Sequence, residues 1–123
     1  MLAGDFIELY PQLFHMTEAG AWPTVCRFGL LSAQALVELF EVPEPRRTRL
    51  ISQRRERAEK LEHPAHGTAV LRDQAPMSEA KLRACLTDLE PTQWYQLLNR
   101  RVFLWPSGEK LRCIEAIASA SWH

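Results

Sequence analysis

The sequence lacks an excess of charge of either sign. It contains 15 Lys and Arg residues against 15 Asp and Glu residues, so its formal net charge is zero. Proteins that bind nucleic acid over a wide surface usually carry a clear positive excess. The composition therefore excludes a globally basic polyanion-binding protein and is compatible with a local basic patch.

Long apolar runs are also missing. Stretches without charged residues, such as residues 29–37, are far shorter than the roughly 20 apolar residues that span a bilayer. The first ten residues contain Asp5 and Glu8 and no basic residue, which is unlike a secretory signal peptide. We therefore expect no membrane partner.

Cysteine is scarce and odd in number. Cys26, Cys85 and Cys113 are widely spaced, which favours reduced thiols in a cytoplasmic protein over a disulfide framework. The sequence has no C-x-x-C, H-E-x-x-H, G-x-S-x-G or Walker motif. His63 and His66 form an H-x-x-H pattern in a loop, but a usual zinc site needs three or four ligands. We expect an exposed loop there and no metal.

What remains is an ordinary globular composition, with 46% hydrophobic and 24% charged residues in 123 positions. This length predicts a single domain over residues 1–123. Apolar spacing and capping residues predict more helices than strands. The fold class is α+β: a small mixed sheet of short strands with several flanking helices. The predicted helices are 5–10, 22–28, 33–40, 46–62, 79–89, 92–98 and 109–120, and the predicted strands are 13–16, 68–72 and 101–105.

Three features are candidates for function, and each has a plain structural alternative. His15 lies in a short apolar run, where a buried packing residue is the common outcome. The arginines of the 46–62 segment alternate with glutamates, which is typical of a solvated helix with i,i+4 charge pairs. They also suit an anion site, where Arg54 or Arg55 would reach a pyrophosphate. The aromatic residues near Trp105 are core residues or a surface that stacks on a planar ring.

The stretch "LFHMTEAGAWPTVCRFGLLS" resembles the opening of ADP-ribosyltransferase-like domains. In those domains a strand delivers a histidine, a small polar residue follows, and a helix leads to a Gly-Leu-Leu turn. The His-x-Thr form, here His15 to Thr17, is similar to the DarT branch, which modifies nucleic-acid bases using NAD. The segments "HPAHGTAVLRDQAPMS" and "WYQLLNRRVFLW" also look like an uncharacterised bacterial family that we associate with this fold.

The resemblance implies a protein that uses NAD as substrate and transfers ADP-ribose, with nucleic acid as a candidate acceptor. His15 would hydrogen-bond a ribose, the Met16 backbone would hold the nicotinamide amide with support from Thr17, and Trp105 would line the pocket. Arg54 or Arg55 would take the catalytic arginine role beside the phosphates and help nicotinamide to leave. Orientation and charge stabilisation are what cleavage of the glycosidic bond requires.

The catalytic glutamate of the family has no identified counterpart here. Glu109 and Glu115 are the only acidic residues after "RVFLW", and neither lies in a matching motif. The domain is then short or divergent at its C-terminus. Two alternatives follow: a catalytically degenerate binding or interaction module of the same fold, and an unrelated small α+β protein. The sequence does not fix the acceptor or the oligomeric state.

Overall fold

The computed structural model describes residues 2–109. The chain divides into two compact units. Unit 1 consists of Met1–Met16 and Phe103–His123, and unit 2 of Thr17–Val102. The predicted C-terminal helix over 109–120 lies almost wholly outside the described residues.

The α+β class is confirmed, with helices and an antiparallel pair of strands in one chain. The ADP-ribosyltransferase-like fold stays a prediction, because a two-stranded hairpin occurs in many architectures. Within the described part of the chain, no helix is long and apolar enough to cross a membrane. The elements are α1 (Ala3–Leu9), α2 (Trp22–Phe28), α3 (Ala33–Leu39), α4 (Arg46–Ser52), β1 (Glu59–His63), β2 (Gly67–Leu71), α5 (Glu79–Cys85) and α6 (Pro91–Asn99).

Three helices of unit 2 follow from local capping signals. Ser32 begins α3 and accepts a hydrogen bond from the Ala35 amide at 3.2 Å, as an N-cap side chain does. Ser78 caps α5 in the same way. Helix α2 carries a proline in its first turn and ends at Gly29, whose φ of +81° lies in the region that favours glycine. The starts of α3 and α5 and both ends of α2 agree with the sequence prediction, whereas α5 ends at Cys85, before the predicted end at Leu89.

The prediction of one long helix over 46–62 is wrong. Helix α4 ends at Ser52, and residues 59–63 form β1. Leu61 is fully buried while Lys60 and Glu62 on either side are exposed, so the segment has the two-residue alternation of a strand. The short turn at 64–66 brings β2 back against β1, and this pairing overrides the helical propensity of the charged residues.

The predicted strands 13–16 and 101–105 do not form regular β-strands. In unit 1 they meet at one pair, where Phe14 and Trp105 exchange both backbone hydrogen bonds at 2.8 and 2.7 Å. Val102, Phe103 and Leu104 are each more than one-third exposed, so this apolar run forms no buried sheet face among the described residues.

One hydrophobic core occupies unit 2 between α3, α4 and the hairpin. Leu50 and Leu61 have no exposed area at all, and Val37 has 1%. Truncating a leucine in such a position usually costs 2–5 kcal/mol. The buried members of this core are Val37, Phe40, Val42, Leu50, Leu61, Ala69 and Leu71.

The outward-facing edges of the hairpin are occupied by side chains. The Lys60 carbonyl on β1 accepts a hydrogen bond from the Arg46 guanidinium at 2.9 Å. On β2, the Thr68 carbonyl accepts one from the Thr24 hydroxyl at 3.1 Å. Helices α4 and α2 are thereby fixed to opposite strands of the hairpin.

Helix α3 ends in a Schellman motif with an unusual residue. The amide of Val42 donates to the Val37 carbonyl, and the amide of Glu41 donates to the Glu38 carbonyl. Val42 and Val37 both lie in the core, which supplies the apolar contact of this motif. The left-handed position normally belongs to glycine, yet here it holds Glu41 with a φ of +52°.

This geometry predicts different stabilities for two substitutions at Glu41. Both E41A and E41G lose the carboxylate, but only E41G also removes the steric cost of a Cβ in the left-handed conformation. We expect E41G to be more stable than E41A by about 1 kcal/mol, measured by urea unfolding at neutral pH. Equal stability of the two variants would contradict the assignment of strain to this residue.

Candidate functional site

His15 in unit 1 is exposed, and its ring is oriented by one backbone contact. Its Nδ1 lies 2.9 Å from the carbonyl oxygen of Phe103. A carbonyl can only accept, so Nδ1 carries the proton and donates. In the neutral ring Nε2 is then an acceptor, and among the described residues it makes no hydrogen bond. His15 is therefore not the buried packing residue that an apolar run favours.

The Phe14–Trp105 pair is what holds this arrangement in place. Because Phe14 and Trp105 exchange backbone hydrogen bonds, their backbones are held together in unit 1. His15 follows Phe14 directly, and Phe103 lies two residues before Trp105. Met16 and Trp105 are each half-buried. The backbone of Met16 forms no hydrogen bond with any described residue. His15, Met16 and Trp105, three of the predicted cofactor residues, thus belong to one unit.

Thr17, the fourth predicted cofactor residue, is exposed and is the first residue of unit 2. Arg54 and Arg55 also belong to unit 2.

Arg55 is buried, with 9% of its area exposed, and its guanidinium serves three protein acceptors. Nε donates to the Arg72 carbonyl at 2.9 Å. Nη1 donates to the Leu50 carbonyl at 3.1 Å and to Asn99 Oδ1 at 2.7 Å. These acceptors lie in α4, just after β2, and in α6. Arg55 therefore joins three elements of unit 2.

The acceptors of Arg55 are neutral groups, and no carboxylate among residues 2–109 forms an ion pair with it. Burial lowers the pKa of Arg55, and the charges of Glu59 and Asp73 oppose that shift. The carbonyl of Leu50 lies in the last turn of α4, where the helix dipole is negative and favours a cation. The negative end of α4 thus offsets the free-energy cost of burying the positive charge of Arg55.

Asn99 completes this network and was not singled out from the sequence. It is 3% exposed, accepts from Arg55 and donates through Nδ2 to the Ile51 carbonyl at 2.7 Å. Its neighbour one helical turn earlier, Gln96, donates to the Ser52 hydroxyl at 3.2 Å. Both contacts satisfy groups at the end of α4. An asparagine within an amphipathic helix is the only trace that this network leaves in the sequence.

Arg54 has a different environment from Arg55. Its side chain retains 24% exposure and donates to the Gln74 carbonyl and to Glu56, each at 3.3 Å. Both distances are longer than a strong charge-assisted hydrogen bond. Of the two arginines expected at a phosphate, Arg54 has the weaker protein contacts and the greater access to solvent.

The remaining basic residues of the 46–62 segment are largely paired. Glu59 binds both Arg46 and Arg49 at 3.0 Å, and the hydrogen bond from Arg46 is the main reason that the pKa of Glu59 is lowered. Arg47 lies 3.7 Å from Glu38. Arg57 is exposed and forms no ion pair with another described residue. Internal pairing interrupts a continuous basic surface here.

Over residues 2–109, no group of three or more His, Cys, Asp or Glu side chains is arranged to hold a metal ion. Glu109, one of the two late acidic residues, is exposed, and Glu115 lies outside the described residues.

The two arginines make a matched pair of test positions. R55K puts a single ammonium where three acceptors need a planar guanidinium, so we expect a loss of about 2–4 kcal/mol in unfolding free energy. R54K changes a half-exposed side chain, and we expect a loss below about 1 kcal/mol. Urea unfolding of both variants measures the difference. If R55K were as stable as the wild type, the structural role of Arg55 would be excluded.

The chain was compared with known proteins and families. No curated protein and no solved structure gave a significant match. A family model described as a family of unknown function, DUF7002, matches residues 11–121, a range that contains His15, the hairpin and both arginines. The match covers nearly the whole chain, and the protein therefore belongs to the DUF7002 family.

Proposed function

We propose that this protein is an ADP-ribosyltransferase-like protein that binds NAD and transfers ADP-ribose, with nucleic acid as the acceptor. The observation that supports the proposal is the oriented imidazole of His15. Its Nδ1 is engaged by the Phe103 carbonyl at 2.9 Å, which leaves the Nε2 acceptor for a ligand. An exposed histidine with a defined tautomer suits recognition of a ribose hydroxyl, which can donate to it.

Two neighbours support the same reading. The backbone of Met16 has no hydrogen-bond partner among the described residues, so its N–H and C=O are available to the carboxamide of nicotinamide. Trp105 is half-buried and fixed through its backbone to Phe14, so its indole is a candidate surface for stacking on a planar ring. Thr17 follows directly and keeps the supporting role that the resemblance assigns to it.

The proposal assigns no phosphate contact to Arg55, because its side chain is buried and three of its N–H groups already donate to protein acceptors. Arg54 remains the arginine expected to bind an anion. The cytoplasmic location also remains part of the proposal. The thiols of Cys26 and Cys85 are free and exposed, a state that a reducing compartment preserves.

A second candidate is a non-catalytic module that binds NAD without transferring ADP-ribose. The internal use of Arg55 favours it, since one of the two alternatives for the arginine that assists the departure of nicotinamide has a structural role instead. Glu109, the late acidic residue within the described range, lies in no motif of the transferases.

Binding of NAD tests both candidates. A ligand that binds the native state raises its melting temperature by mass action. We expect millimolar NAD to raise the melting temperature of the wild type. H15N should keep a donor at the position of Nδ1 and lose the Nε2 acceptor. Loss of one neutral hydrogen bond contributes about 1 kcal/mol, so we expect roughly fivefold weaker NAD binding by H15N.

The melting temperature of H15N without ligand is the internal control, because the bond to Phe103 is preserved. No shift with millimolar NAD in the wild type would exclude the cofactor assignment. If NAD binds, mass spectrometry of DNA, RNA and protein acceptors distinguishes the two candidates. Addition of ADP-ribose with release of nicotinamide supports the transferase, and binding without addition supports the module.

A further inference from the structure

The turn of the hairpin is the centre of a cluster that we call the histidine junction. It consists of the rings of His63, His66, Phe28 and Phe40 and the side chain of Glu41. It joins the end of α2, the end of α3 and the 64–66 turn. The two histidine rings are stacked, with centroids 4.3 Å apart and planes 17° apart. The rings of His66 and Phe28 form a T-shaped pair with centroids 5.1 Å apart. The expectation of an exposed loop is correct for Pro64 and Ala65, which are exposed, and wrong for His63 and His66, which are both partly buried.

Both ring nitrogens of His63 are engaged, and their roles are fixed. The amide of Ala65 donates to Nδ1 at 3.0 Å, so Nδ1 carries no proton. Nε2 then carries the proton and donates to the Glu41 carboxylate at 2.6 Å. The neutral ring satisfies every partner. A second proton on Nδ1 would face the Ala65 N–H, a donor against a donor.

His66 differs from His63, because its Nδ1 is buried and has no hydrogen-bond partner in the part of the chain that the structure describes. A neutral ring protonated at Nε2 leaves only a lone pair in that position. A protonated ring would bury an N–H without an acceptor and a charge beside apolar rings. Two protonated rings would also stack cation on cation at 4.3 Å.

The charged groups in contact with the junction act in opposite directions. The Glu41 carboxylate favours a protonated His63, but 76% of that side chain is exposed, so solvent screens it. From α2, the Arg27 guanidinium donates to the Ala65 carbonyl at 3.0 Å and lies 4.8 Å from the Phe28 ring centre. It opposes additional positive charge. Glu41 is held in its strained left-handed conformation at this same point.

We propose that His63 and His66 form a proton-sensitive latch. While both rings are neutral, the stack and the Ala65 hydrogen bond hold the turn against α2 and α3. When the pair takes up protons, the rings separate and the Ala65 amide loses its acceptor. The turn then leaves Phe28 and Phe40, and the contact of Arg27 with the Ala65 carbonyl is lost with it. The inference does not depend on NAD binding.

The test compares thermal unfolding of three proteins between pH 8 and pH 5.5. H66F keeps an aromatic ring in the stack and removes the buried nitrogen. H15N is the matched control, since it removes an exposed histidine outside the junction. We expect the melting temperature of the wild type and of H15N to fall over this range by at least about 4 °C more than that of H66F. The pKa of Glu59 is lowered by its hydrogen bond from Arg46, so that carboxyl does not titrate here.

An NMR titration of the wild type provides a second measurement that does not rely on a variant. We expect hydrogen exchange of the Ala65 amide to accelerate as the His66 ring becomes protonated, while amides of the core strand residues stay protected. Protonation of His66 with an unchanged Ala65 amide would overturn the proposal. An equal loss of stability with acid in H66F and the wild type would also overturn it.

Discussion

The guanidinium of Arg55 is the contact on which the arrangement of unit 2 depends. It reaches the last turn of α4, the residue after β2 and the side chain of Asn99 on α6. A buried cation is costly unless its donors are used. Here three of the donors are bound by neutral acceptors, namely the Leu50 carbonyl at the negative end of α4, the Arg72 carbonyl and Asn99 Oδ1. The chain leaves the helical path after Ser52, and Arg55 makes these contacts from the segment between α4 and β1, which begins at Glu59.

This contact also separates two arginines that the sequence presents as equivalent. Arg54 and Arg55 are adjacent and lie in the same charged segment, and either one suits an anion. Only the tertiary structure shows that Arg55 is enclosed by carbonyl groups and an amide while Arg54 remains half-exposed. Arg55 accordingly stabilises the framework of the unit, whereas anion binding by Arg54 stays a prediction.

Features of the fold that depend on residues close together in the sequence were predictable, and features that depend on contacts between distant residues were not. The bounds of α2 and the capping of α3 follow from residues within a few positions, such as Ser32 and Gly29, and these predictions were correct. The strand β1 depends on pairing with β2, and its charged composition conceals it. The apolar segment 101–105 has strong strand propensity, but within residues 2–109 it pairs with another segment only at Trp105. The motif around His15 is visible in the sequence, whereas its orientation depends on Phe103, 88 positions later.

The side chains on the outer carbonyls of the hairpin have a consequence for association between molecules. A two-stranded sheet has two open edges, and such edges commonly recruit a strand from another chain and lead to aggregation. Arg46 and Thr24 occupy acceptors that an incoming strand would need, at Lys60 and Thr68. An added strand would first have to displace them. The contacts that fasten two helices to the hairpin thus also discourage polymerisation through its edges.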